Sequence, residues 1–225
     1  MVLDPGHGGR AEGTHSPDGV NEKDVVLDLA RQTASALKGR VGRVVMTRNR
    51  DMEASLEFRV ALADELRADM ALSIHLNASP ETTRSTPGSS TFGSVADPRG
   101  RRAAGVVYAS IRHYLERWTP TVGRWAGNTD SGALYRLGRN GGDYYGLLRR
   151  AHVTWVIAES AYLSAPKEAA LLQRADVRAG LAGALADGAV AFTSSRAPGS
   201  GWRVPRSRPA DPPPPPVSGH CVDPS

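Results

Sequence analysis

The chain has 225 residues, of which 40% are hydrophobic and 23% charged. That length suits one α/β domain plus a tail, and that balance excludes a chain disordered throughout. No apolar run approaches the ~20 residues needed to cross a bilayer, so no membrane span is expected. The single cysteine, Cys221, excludes an internal disulfide framework and a cysteine-rich zinc module. The net charge is +5, and the 28 basic residues are 25 arginines and only three lysines. Arginine favours bidentate contact with carboxylates and phosphates, as on an anionic polymer. Here the arginines are dispersed, with no basic stripe or aromatic platform, so nucleic-acid binding is not expected.

No leader is visible, and the start is abrupt: Val2 and Leu3 read as the end of a strand lacking its first residues. In chain order, the pattern predicts a strand over 2–4, a helix over 22–38, a strand over 42–47 and a helix over 55–67. Strands at 70–75 and 89–92 follow, then a helix at 98–117 and a strand at 132–137. A helix at 142–150, a strand at 154–158 and helices at 167–173 and 175–194 complete the set. The strands are short runs rich in β-branched residues and bounded by turn residues. The first helix carries Val25, Leu27, Leu29, Ala30, Ala34 and Leu37 as an apolar stripe, and the second carries Leu56, Val60, Ala63 and Leu66. Alternating strands and helices imply an α/β fold. The expectation is a single domain with a mixed, mostly parallel sheet of about six strands and helices on both faces.

From Ala197 the texture changes to Pro, Gly and Ser, and Pro212 to Pro216 are five consecutive prolines. Such a run is extended polyproline II and buries little apolar surface. The domain is therefore expected over 1–196 and a disordered proline-rich tail over 197–225. Removing that tail is expected to leave the melting temperature unchanged.

Ligands in α/β sheets bind beyond the carboxyl ends of strands. The first strand ends at Asp4 and leads into Pro5, Gly6 and His7, the third ends at His75, and the sixth leads into Glu159. A histidine in such a place is a good zinc ligand, yet each alone is more often a hydrogen-bonded structural residue, and only the two together bring the readings level. Glu22 opens the first helix behind Asn21, a natural N-cap. It is either a first-turn carboxylate favoured by the helix dipole or a third ligand brought beside His7. Two histidines and a carboxylate would leave one tetrahedral position open, as catalytic zinc sites do. Glu159 reads as either a capping carboxylate or the base and acid such a site needs. Asn77 could contact substrate or stabilise a turn, and structural ion pairing is expected for Arg48 and Arg59. His15, His113, His152 and His220 have no partner at meaningful spacing and are read as non-ligands.

These residues and their flanks resemble the zinc-dependent N-acetylmuramoyl-L-alanine amidases of the amidase 3 type. The matching stretches are 3–9, 21–24, 45–48 with Asp51, 56–59, 68–69, 73–78 and 159–164 before Pro166. They fall in the family's order and span nearly all of 1–195. The resemblance implies cleavage of the amide between the lactyl group of N-acetylmuramic acid and L-alanine of the stem peptide. It also implies one zinc per chain on His7, Glu22 and His75, with Glu159 as general base and acid. The implied partner is peptidoglycan, met by a monomer in the cell wall, extracellular space or periplasm. Two positions depart from the family's last motif, where Ala161 replaces Gly and Ala165 replaces Asn. The alternatives are a zinc peptidase cutting within the stem peptide and a non-catalytic wall-binding domain.

Overall fold

The computed structural model describes residues 1–79, 87–123, 125 and 131–203. The chain runs β1 (Val2–Pro5), α1 (Glu22–Leu37), β2 (Val45–Met46), α2 (Leu56–Glu65), β3 (Ala71–Asn77), β4 (Ser90–Gly93) and α3 (Gly100–Leu115). A 3₁₀ turn (Glu116–Trp118) and a short α4 (Thr119–Val122) follow. Then come β5 (Gly132–Leu134), α5 (Gly146–Arg150), β6 (Trp155–Tyr162), α6 (Pro166–Gln173) and α7 (Ala175–Ser194). One sheet holds all six strands in the order β2-β1-β3-β6-β4-β5. Every neighbouring pair is parallel except β4 with β6. This is the α/β fold the element pattern predicts.

The central strands are buried on both faces, as parallel strands under two helical layers must be. Residues alternate between the layers. Leu3, Leu72, Ile74, Val156 and Ala158 join the larger core with residues of α1, α3 and α7. Val2, Ala71, Trp155 and Ile157 join a smaller core with Val60 and Ala63 of α2 and Leu147 and Leu148 of α5. Trp125 is fully buried in the larger core.

The structure differs from expectation in five informative places. β6 runs on to Tyr162, so Glu159 lies inside the strand and not just past its end. The reason is a neighbour on each side: Glu159 pairs with His75 of β3 and with Ser90 of β4. The strands expected at 42–47 and 132–137 shrink to Val45–Met46 and Gly132–Leu134. The helix expected over 98–117 ends at Leu115 and tightens into the 3₁₀ turn.

The fifth difference is at the domain edge. Composition places the end of packed chain at 196, but the structure carries it on to Arg203. The backbone of Ala133 in β5 accepts from the Arg203 N–H at 3.3 Å and donates to Gly201 O at 2.9 Å, so Trp202 lies beside it as a parallel bridge. The Trp202 ring is covered by the Arg101 guanidinium at 4.8 Å and lies 5.3 Å from the Tyr135 ring. A glycine in mid-helix makes this possible. A Cβ on Gly105 of α3 would sit 2.9 Å from Trp202 Nε1 and 3.2 Å from Gly199 Cα. Backbone bonds to an open sheet edge require no apolar composition, which is why a compositional reading misses them. Most of the expected tail, 204–225, lies outside the described residues, and so do Cys221, His220 and the five prolines.

Candidate metal centre

β1 delivers His7 through a tight turn. His7 has φ 58, in the left-handed region, and is one of two non-glycine residues there, with Arg67, among those described. That conformation costs a non-glycine residue about 1–2 kcal/mol. Two buried arginines hold the turn. Arg48, just after β2, donates to Pro5 O at 3.0 Å and to Gly6 O at 2.6 Å. Arg59 of α2 donates to Pro5 O at 2.8 Å and to His7 O at 2.7 Å. Gly6 itself faces the imidazole of His75, and a Cβ at that position would run into the ring. Beyond the turn, Asp51 accepts from Gly9 N at 2.7 Å and from Lys23 Nζ at 2.9 Å.

Glu22 enters at the first turn of α1. Asn21 occupies the N-cap position with extended backbone, but its side chain makes no capping bond. Carbonyls of the preceding loop take that role instead: Glu22 N donates to Thr14 O at 2.8 Å and Lys23 N to Glu12 O at 3.1 Å. The loop is thereby drawn over the helix end, and Thr14 N donates to Glu22 Oε2 at 3.0 Å. Glu22 Oε1 accepts from Leu76 N at 2.8 Å. The carboxylate also lies 3.1 Å from His7 Nε2 and 3.2 Å from His75 Nδ1. Burial pushes its pKa up, but the contacts with His7 and His75 outweigh that and hold it at about 2. Glu22 is therefore ionised across the neutral range.

His75 closes the group. Its ring meets that of His7 edge to face, with centroids 4.9 Å apart. One donor atom from each of His7, Glu22 and His75 falls within 4.8 Å of the other two, and all three residues are buried. Donors about 2.1 Å from a tetrahedral zinc stand roughly 3.4 Å apart, and the two carboxylate–imidazole distances, 3.1 and 3.2 Å, are close to that. Glu159 stands beside the group. Its backbone is in register with His75 on the adjacent strand, which puts both side chains on the same face of the sheet. Glu159 is half-buried. The arrangement combines two imidazole nitrogens, an ionised carboxylate and a separate carboxylate, the parts a hydrolytic metal site needs.

The family model described as N-acetylmuramoyl-L-alanine amidase (Amidase_3) matches residues 1–191. The chain belongs to this family. Amidase AmiC of Neisseria meningitidis is 32% identical over 212 residues, covering 84% of the chain and 51% of the relative. Cwp6 of Clostridium difficile superposes with a TM-score of 0.73 at 28% identity, covering 86% of the chain and 29% of that protein. An N-acetylmuramoyl-L-alanine amidase from Clostridium difficile 630 gives 0.69 at 26% identity, covering 87% and 97%. The chain thus spans about half the length of the AmiC relative it matches.

Within this amidase fold, the other singled-out residues sort clearly. Arg59 forms the expected ion pair, with Asp4. Arg48 does not follow that expectation: its donors go to the carbonyls of Pro5, Gly6, Lys23 and Arg50. Asn77 is half-buried, and its Nδ2 has no partner among the described residues. His15 and His152 pair with Glu12 at 3.3 Å and Asp64 at 2.9 Å, outside the cluster. His113 is exposed on α3. Sequence reasoning missed Asp4 as a hub. Thr47 Oγ1 donates to its Oδ1 and Ser73 Oγ to its Oδ2, each at 2.6 Å, and Arg59 joins them. The available signal was a lone carboxylate inside an apolar strand, which is affordable only when paired.

Proposed function

We propose that the domain that ends near Arg203 is the catalytic domain of a zinc-dependent peptidoglycan hydrolase. It cuts the amide between the lactyl group of N-acetylmuramic acid and L-alanine, working at the cell wall in the periplasm or outside the cell. Family membership supports the substrate class. The observation that carries the chemistry is the convergence of His7, Glu22 and His75 with Glu159 in register beside them.

The donor set fits zinc better than a hard cation, because two of its three atoms are imidazole nitrogens. His7, Glu22 and His75 would hold the ion and leave one position for water or substrate. When bound, zinc supplies Lewis acidity, polarising the amide carbonyl and making water a nucleophile near neutral pH. The remaining work falls to the chain. Glu22 stays ionised and so keeps the ligand set charged. Glu159 takes a proton from the attacking water as the C–O bond forms. It returns that proton to the alanine nitrogen as the C–N bond breaks, so that the stem peptide leaves as a neutral amine.

Two isosteric changes separate these roles. Glu159→Gln should keep zinc and lose about 10²–10⁴-fold in turnover. Glu22→Gln should lose zinc and activity together, because an amide is a poorer ligand than a carboxylate. Zinc content and turnover measured side by side decide the matter. If Glu159→Gln loses its zinc while Glu22→Gln keeps it, the two roles are exchanged.

A further inference from the structure

We infer that Arg48 and Arg59 are positioning residues that set the spacing of the three candidate zinc ligands through the backbone. The inference rests on the zinc reading of His7, Glu22 and His75. Its basis is where the two guanidinium groups reach. Arg48 Nη2 donates to Gly6 O at 2.6 Å, next to His7, and to Lys23 O at 2.8 Å, next to Glu22. One planar group thus gauges the distance between two ligand-bearing segments that are 15 residues apart in sequence. Arg59 covers the third segment. It donates to His7 O at 2.7 Å and pairs with Asp4, which accepts from Ser73 at 2.6 Å, two residues before His75.

Simple fold stabilisation does not account for this arrangement well. Arg48 and Arg59 are 2% and 4% exposed and close enough to disfavour each other's charge. Burying two like charges is costly, and Asp4 offsets only that of Arg59; an apolar pair would avoid the repulsion but leave Asp4 without its guanidinium. What an apolar pair lacks is a rigid fork of donors in fixed geometry, the property that distinguishes arginine from lysine. The fork's acceptors are three consecutive carbonyls, of Pro5, Gly6 and His7, at the one site-forming residue whose backbone is left-handed. Without those donors His7 is free to relax toward negative φ, and its imidazole leaves the cluster.

The test uses the full chain with Arg48→Lys and Arg59→Lys, which keep charge but lose the fork, and Arg40→Lys as a surface control. Zinc affinity is measured by competition with a chromogenic chelator, and the visible spectrum of the cobalt(II)-loaded protein reports ligand geometry. The metal-free melting curve establishes that each variant is folded. Both site variants should bind zinc about 10–100-fold more weakly and show an altered cobalt spectrum, with the control unchanged. Wild-type affinity and spectrum in folded Arg48→Lys and Arg59→Lys would overturn the inference, even if melting falls, since that is how mere scaffolding behaves. If neither lysine variant folds, Ser73→Ala loosens Asp4 with both arginines in place. It should weaken zinc by about tenfold, and unchanged affinity would again overturn the inference. A wild-type chain that takes up no zinc would fail the zinc reading itself, and this inference with it.

Discussion

At the carboxyl ends of β1 and β3 the close contacts are polar and directional: Arg48 and Arg59 on carbonyls, Asp4 between two hydroxyls and a guanidinium, Glu22 between two imidazoles. Along the far edge, where residues 199–203 lie on β5 and α3, contact is made by glycine backbones and stacked rings. The two regions fail differently when altered. The first depends on residue identity, because a buried polar group that loses its partner bears the full cost of desolvation. The second depends on shape, and its parts contribute in small increments.

The largest stability effect should therefore come from Asp4. Asp4→Ala strands the Arg59 charge in a buried site and leaves Thr47 and Ser73 without their acceptor. Denaturant titration should show a loss of about 3–5 kcal/mol. A loss below about 1 kcal/mol would mean that the polar network is no more demanding than the edge. Ending the chain at Arg196 should cost less. It removes Trp202 from beside Tyr135 and Arg101 and bares the edge of β5. We expect about 1–2 kcal/mol, a fall of roughly 2–8 °C in melting temperature, with turnover on soluble muropeptides retained. An unchanged melting temperature would return the domain boundary to where composition puts it. The smallest effect should be Arg40→Ala. Its pair with Asp187 is exposed, so the change should stay within about 1 kcal/mol.

Much of the polar region was legible in the sequence because chemistry restricts which residues can stand there. His7 and His75 near the ends of apolar strands, Glu22 at the start of the first helix and Glu159 in an apolar strand are unusual placements, and an α/β pattern says where such residues converge. All six strands were legible as short apolar runs between turn residues, and the longer helices from periodicity. Their ends were not, because hydrogen bonds from neighbouring strands decide them: β6 gains Glu159 from pairing with both β3 and β4 and reaches Tyr162 alongside Asn77 of β3. Arg48 was read as an ion-pair former because spacing cannot distinguish a carboxylate partner from a carbonyl. The docking of Trp202 was hidden for a further reason. It needs Gly105, a residue that sequence alone marks only as a weak point in a helix.

Mass spectrometry of purified peptidoglycan digested by the zinc-loaded chain tests the central claim most directly. The expected products are intact stem peptides with a free L-alanine amino terminus, and glycan whose lactyl groups end in free carboxylates. Shortened peptides still attached to glycan, or no release by a folded and zinc-loaded protein, would contradict the assignment of this site to the lactyl–alanine bond.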